Sequence, residues 1–232
     1  EHIRPQKLSF DLIYGIPDQK LEELYCDIER LMEYAPNHIS LYQLTPERRT
    51  DLGIRTISGK TVMPEDGEAL QMQEFAEAQL VRHGFKRYEI SNYAKDGAVC
   101  KHNAAVWNGE DYIGVGVGAV GLVKGTRYAN VRTLPDYFTM IKTNRQPRKS
   151  EESLNTERKM RERVAFGTRM VEGIDIDKTT LDRIQRCDRK DIFACSVREL
   201  ETDGLIVIDG KKIKPTGNGL RVHNRLAMKI LG

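Results

Sequence analysis

The chain has 232 residues, of which 31% are charged and 39% hydrophobic, and it carries a formal net charge of +3. That length can bury a substantial core in one or two domains, and the composition excludes disordered and fibrous classes. No uncharged apolar run approaches the roughly 18 residues of a membrane span, and no basic-then-apolar leader marks secretion. Four scattered cysteines (Cys26, Cys100, Cys187, Cys195) point to reduced thiols in a cytoplasmic protein.

Charge is unevenly distributed. Residues 1–144 hold 17 Lys+Arg against 20 Asp+Glu, a balance of −3, and residues 145–232 hold 20 against 14, a balance of +6. The change near Asn144 raises nucleic acid as a partner for the second part.

In chain order, Lys7 to Ile13 reads as a strand broken by the turn Tyr14-Gly15-Ile16-Pro17. Leu21, Leu24, Ile28, Leu31, Met32 and Ala35 recur at helical spacing, and Pro36-Asn37 ends that helix. A strand is predicted over His38 to Leu44, then an irregular stretch. Pro64-Glu65-Asp66 opens a second helix striped by Ala69, Met72, Ala76 and Leu80 and stopped by Gly84. Third and fourth strands are predicted over Lys86 to Ile90 and Tyr112 to Val117. Strand–helix–strand spacing argues for a parallel sheet or part of an α/β barrel, with too few units for the eight of a full one. The chain reads as the latter part of a larger α/β domain, with an unpaired strand edge at its front.

Helices dominate after Asn144: Thr156 to Met170, Thr179 to Arg186 and Asp191 to Thr202. Strands Leu205 to Ile208 and Lys211 to Lys214 flank Asp209-Gly210, a strong hairpin signal, and a helix runs to Leu231. Helices followed by such a hairpin have winged-helix character. The organisation predicted is 1–125 for the barrel strands, 126–155 for a connector and 156–232 for the helical domain.

Several residues could carry chemistry. Asp11, inside an apolar strand, either meets a ligand amine or ribose at a strand end, or caps the Tyr14-Gly15 turn. His102, Asn103 and Trp107 combine an imidazole, an amide and an indole beside a glycine run, a set that suits a pocket for a flat ligand; core packing gives the same composition. The run Gly114 to Gly118 lacks the context of a dinucleotide fingerprint; its glycines either clear space for something lying on the sheet or turn a tight barrel corner. Cys100 and His102 are too few for a structural zinc site. The helix before the hairpin holds Arg198 against Asp191, Glu199 and Glu201, which disfavours DNA binding through the wing. The basic excess could instead meet a protein or the propionates of a porphyrin.

Taken in order, the segments Asp11-Leu12-Ile13-Tyr14-Gly15-Ile16-Pro17, Ile39-Ser40-Leu41-Tyr42-Gln43-Leu44-Thr45, Tyr88-Glu89-Ile90-Ser91-Asn92-Tyr93-Ala94, Cys100-Lys101-His102-Asn103 and Asn130-Val131-Arg132 resemble the HemW/HemN family. These are radical S-adenosylmethionine proteins related to oxygen-independent coproporphyrinogen III oxidase. The resemblance implies the C-terminal portion of a radical S-adenosylmethionine α/β barrel followed by a mostly helical HemN-type domain. It implies S-adenosylmethionine contacts at Asp11, Thr45 and Val120, and a heme or porphyrin site using His102, Asn103 and Trp107.

The resemblance has departures. The family's HNxxYW segment has Val106 in place of its tyrosine, and Val120 stands where the chaperone branch carries a histidine, a feature closer to the oxidase branch. The CxxxCxxC motif that ligates the family's [4Fe-4S] cluster is expected upstream of Glu1, so this chain alone should not run radical chemistry. The function implied is heme binding and delivery to acceptor proteins. The enzymatic rival is oxidative decarboxylation of coproporphyrinogen III, and a winged-helix regulator binding DNA is a third reading.

Overall fold

A computed structural model describes residues 7–232. The chain divides into two compact units, Glu1–Cys100 and Lys101–Gly232.

In the first unit, β1 (Ser9–Tyr14) runs into a turn that Gln19 caps, its side-chain oxygen accepting from the Gly15 N–H at 2.8 Å and the Ile16 N–H at 3.3 Å. Helix α1 (Leu21–Met32) is closed at its start by Glu23, whose carboxylate accepts from the Lys20 N–H at 2.8 Å. Strand β2 (His38–Gln43) pairs in parallel with β1, setting Asp11 beside Ser40 and Leu12 beside Leu41. Helix α2 (Asp51–Ile57) occupies the stretch read as irregular. Thr50 caps it, accepting from the Gly53 N–H at 3.1 Å. Helix α3 (Asp66–Arg82) follows, its first turn closed by Glu68 on the Glu65 N–H at 3.0 Å.

The predicted strand over Lys86 to Ile90 is cut short. Only β3 (Lys86–Arg87) is extended; the chain then reverses into β4 (Asn92–Ala94), antiparallel to both β3 and β2. The cause is Glu89, fully buried, whose carboxylate accepts from the Ser91 N–H at 2.7 Å and from the Asn92 amide. A carboxylate that satisfies its own downstream backbone imposes a turn rather than a strand. The sheet order is β1-β2-β4-β3, so parallel pairing holds for β1 and β2 only, and β1 is an outer strand. One face buries Leu12, Tyr14, Ile39, Leu41 and Tyr93 against Leu24 and Ile28 of α1 and Met72, Ala76 and Leu80 of α3. The helical stripes read from the sequence are that core.

The second unit opens with α4 (Lys101–Trp107), whose Lys-His-Asn-Ala-Ala start suits a helix. Gly109, at φ 74°, ends it: the Gly109 N–H returns to Val106 O at 3.0 Å and the Glu110 N–H to Ala105 O at 2.9 Å. The predicted strand over Tyr112 to Val117 reduces to a single bridge between Tyr112 and Leu122. Residues 126–155, read as a connector, supply most of an antiparallel sheet. β5 (Val120–Val123), β6 (Thr126–Asn130) and β7 (Arg148–Ser153) pair in that order, with α5 (Leu134–Lys142) between β6 and β7. Two of those three strands lie in the presumed connector. That pairing draws the region into the second unit, whose start precedes the sequence boundary at 125.

Helix α6 (Thr156–Gly167) leads into the basic part, followed by the short strand β8 (Ile174–Asp175), α7 (Lys178–Arg186) and α8 (Ile192–Thr202). The predicted hairpin is present as β9 (Ile206–Asp209) and β10 (Lys212–Pro215), and β8 adds a third strand that the sequence did not reveal. Helices α9 (Gly217–Arg221) and α10 (His223–Leu231) close the chain. Val164, Ile184, Phe193, Val197, Leu200, Ile213, Leu226 and Ile230 form one core under these helices and the three-stranded wing.

Candidate functional site around α4

On α4, the spacing of four places His102 and Val106 on one side and Asn103 and Trp107 on an adjacent one. His102 is exposed and its ring meets the Tyr112 ring edge-on at 6.4 Å. Val106, Trp107 and Tyr112 all line a cavity of about 410 Å³ between α4, β5, β6 and α6. That volume lies in the range of small-molecule pockets. Of the three predicted site residues Trp107 lines this cavity, and His102 and Asn103 do not; His102 lies one turn along the helix from Val106, which does.

The cavity wall combines apolar side chains, Trp107, Phe166 and Leu122 among them, with the charged Asp111, Arg127, Lys159, Glu162 and Arg163. Arg127 donates two hydrogen bonds to Glu162, one at 2.9 Å, and Arg158 donates a third at 3.2 Å. Burial raises the Glu162 carboxyl, but the bonds and charges of Arg127 and Arg158 outweigh it and hold the group below its ordinary value. Lys159 and Arg163, one turn apart on α6, also line the cavity. Among the described residues Lys159 forms no ion pair, and Arg163 reaches only the Asp175 carbonyl, at 3.4 Å. With the Arg127–Glu162 pair discounted, the lining carries two cations, Lys159 and Arg163, against one carboxylate, Asp111.

Trp107 is held by the Arg169 guanidinium, 4.2 Å from its ring centroid. Its indole N–H is buried without a hydrogen-bond partner. A buried donor left unpaired is uncommon and marks a place where an acceptor would be favourable.

The backbone of the glycine run is hydrogen-bonded by side chains of β6. The Gly114 N–H donates to the Tyr128 hydroxyl at 2.9 Å, and the buried Asn130 amide donates to the carbonyls of Gly116 at 2.8 Å and Gly114 at 3.3 Å. A Cβ on Gly121 would fall 2.4 Å from the Tyr128 ring. Within the run itself, a Cβ on Gly114 would fall 2.4 Å from the Val120 carbonyl oxygen, so that glycine admits the close approach of β5, while Gly116 and Gly118 take positive φ and turn the chain.

In the first unit, Asp11 is exposed, so the buried, partnered charge expected from an apolar strand is not what forms: the strand alternates, and Asp11 falls on the face away from the core. The turn-capping role belongs to Gln19 instead. Thr45, just beyond β2, is exposed. Val120, in the second unit, is 43% exposed at the start of β5.

The face carrying Asp11 holds a network that sequence reasoning missed. His38, buried, pairs through Nδ1 with Ser9 Oγ at 2.8 Å and through Nε2 with the Tyr88 hydroxyl at 2.9 Å. Burial lowers the His38 pKa, against the opposing fields of Asp11 and Glu89. Only the co-occurrence of a histidine at a strand start and the Tyr88-Glu89 pair hinted at it.

Among the described residues no three His, Cys, Asp or Glu side chains gather as a metal site, and no helix is long and apolar enough to cross a membrane. The described residues therefore do not fit a [4Fe-4S] cluster. On α8, Arg198 pairs with Glu201 at 2.6 Å and Glu199 with Lys229 at 2.7 Å, so the helix before the wing presents no basic reading face.

Residues 154–222 match the HemN C-terminal domain family. The heme chaperone HemW of Lactococcus lactis is 29% identical over 97% of this chain and 59% of its own length. The mitochondrial radical S-adenosyl methionine domain-containing protein 1 of Mus musculus is 32% identical over 98% of this chain and 53% of its own. The solved structure of coproporphyrinogen III oxidase (HemN) from Escherichia coli, described as a radical SAM enzyme, superposes with a TM-score of 0.73 at 19% identity, covering 97% of this chain and 55% of that one. The chain thus spans little more than half the length of these proteins. It is related along nearly all of its own length to the HemW/HemN family, and its residues 154–222 match the HemN C-terminal domain.

Proposed function

We propose that the protein binds heme and passes it to acceptor proteins, acting in heme or porphyrin metabolism in the manner of the HemW-type proteins it resembles. The observation that carries this reading is the pairing of an exposed imidazole with an amphipathic cavity one helical turn away. A porphyrin is a flat apolar ring edged by carboxylates. Trp107 and Phe166 offer it apolar contact, and Lys159 and Arg163 offer its propionates charge-assisted bonds. His102 would supply a ring nitrogen to iron, and Asn103 an amide to a polar edge.

In the whole protein, S-adenosylmethionine would meet Asp11 and Thr45 through polar groups. Asp11 lies on the exposed sheet face and Thr45 at the C-terminal end of β2. When bound with a reduced cluster, that group would supply a carbon radical, and these residues would hold and orient it. Oxidative decarboxylation of coproporphyrinogen rests only on the shared fold, which many activities can use.

The test is gel filtration of the purified chain after mixing with hemin. Heme absorbance comigrating with protein near one equivalent supports the reading. Heme eluting free at micromolar protein overturns it.

A further inference from the structure

Two cysteines outside the candidate site meet where α7 turns into α8. Cys187 closes α7 in the left-handed conformation, at φ 45°, and Cys195 lies one turn into α8. Their sulfur atoms are 3.8 Å apart, in van der Waals contact, and both residues are partly exposed. The Cys195 thiol also donates to the Asp188 carbonyl at 3.4 Å.

The corner that holds them is braced from three helices. Asp191 accepts from Arg183 at 2.8 Å and caps α8 by accepting from the Ala194 N–H at 3.1 Å. The same guanidinium donates to Glu157 of α6 at 2.6 Å. The seven residues between the two cysteines are therefore closed into a loop whose ends are fixed, whatever the thiols do. A disulfide needs its sulfurs roughly 2.05 Å apart, a closure that side-chain rotation can supply when the backbone already places them in contact.

We propose that Cys187 and Cys195 form a redox-active dithiol that closes reversibly to a disulfide by exchange with a low-molecular-weight disulfide such as glutathione disulfide. The Cys187 thiolate attacks one glutathione sulfur, forming a mixed disulfide and releasing one glutathione thiolate. Cys195 then loses its proton, its sulfur attacks the Cys187 sulfur, and the second glutathione leaves. Two protein thiols are oxidised, one glutathione disulfide is reduced, and the two protons end on the two glutathiones. Burial and the neighbouring Cys187 sulfur raise the Cys195 pKa, in keeping with Cys195 acting as the resolving thiol. The closed form pins α7 to α8 and constrains the unfolded chain. Among the described residues Cys26 and Cys100 have no sulfur neighbour and serve as internal controls.

The test equilibrates the full chain in graded mixtures of reduced and oxidised glutathione, traps free thiols by alkylation and digests with trypsin. Cleavage after Arg186, Arg189 and Lys190 separates the Cys187 peptide from the Cys195 peptide, so only a disulfide keeps them joined. The expected result is a joined pair that appears as the mixture becomes oxidising and disappears with reductant, while Cys26 and Cys100 stay alkylated. Cys195→Ser should instead accumulate a stable glutathione adduct on Cys187. Four alkylated cysteines throughout, glutathione adducts without a link in the unsubstituted protein, or random pairing with Cys26 and Cys100 would overturn the proposal. Should Cys195→Ser misfold, the peptides of the unsubstituted chain decide alone.

Discussion

The Tyr128 hydroxyl accepts the Gly114 N–H at 2.9 Å, and the Tyr128 ring fills the space a side chain on Gly121 would need. One aromatic side chain thereby ties the glycine run to the hairpin of β5 and β6. Gly121→Ala should destabilise the second unit by about 1–3 kcal/mol through overpacking, and Tyr128→Phe by about 1 kcal/mol through the lost hydrogen bond. Urea unfolding measures both. Unchanged stability in both variants would contradict a tightly packed, hydrogen-bonded Tyr128.

His38 supplies a pH signature for the first unit. Its folded pKa lies below the unfolded value of about 6.5, so the unfolded chain binds the extra proton first as pH falls. Its contribution is fully present above that pH and is lost progressively below it. In His38→Gln the slope of stability against pH between about 7 and 5 should flatten. Denaturation midpoints across that window check this; an unchanged slope contradicts the buried neutral imidazole.

The Arg127–Glu162 pair should behave in the opposite range. Glu162 is depressed in the folded state, so its stabilisation is present above the unfolded carboxyl value of about 4.3 and is lost as pH falls through the folded value. Glu162→Gln should cost about 1.5–3 kcal/mol at neutral pH, as expected for hydrogen bonds to a charged group, and should reduce the acid sensitivity. Denaturant titrations at neutral and acid pH read both effects.

Trp107 is the chain's single tryptophan, so intrinsic indole fluorescence reports on the cavity wall alone. Removing the guanidinium in Arg169→Ala should expose the ring, shift its emission to longer wavelength and cost about 0.5–2 kcal/mol. An unshifted spectrum would show that the cation does not cover the ring.

Periodicity recovered α1, α3 and the helices of the basic part, together with β1, β9 and β10, but not α2, α4 or α5. Leu24 and Ile28, or Ile206 and Ile213, announce their faces by spacing alone. It failed where side chains satisfy backbone groups nearby. Glu89 turns a β-rich run, Gly109 ends a helix whose His102-to-Trp107 segment carries no apolar stripe, and β8 is too short for any pattern. The family resemblance picked out His102, Asn103 and Trp107, but the cations facing the cavity come from α6, some fifty residues on. Nothing local in Lys159 or Arg163 distinguishes them from the other basic residues of that helix. Likewise, the eight-residue spacing of Cys187 and Cys195 gave no sign that two helices meet there.

The central claim places heme iron on α4. Titrating hemin into the chain and into His102→Ala, followed at the Soret band, tests it most directly. The account predicts a saturable shifted band for the unsubstituted protein, with His102→Ala losing the shift or weakening binding at least tenfold while its far-ultraviolet circular dichroism stays intact. Identical Soret spectra and affinities for the two proteins would contradict it.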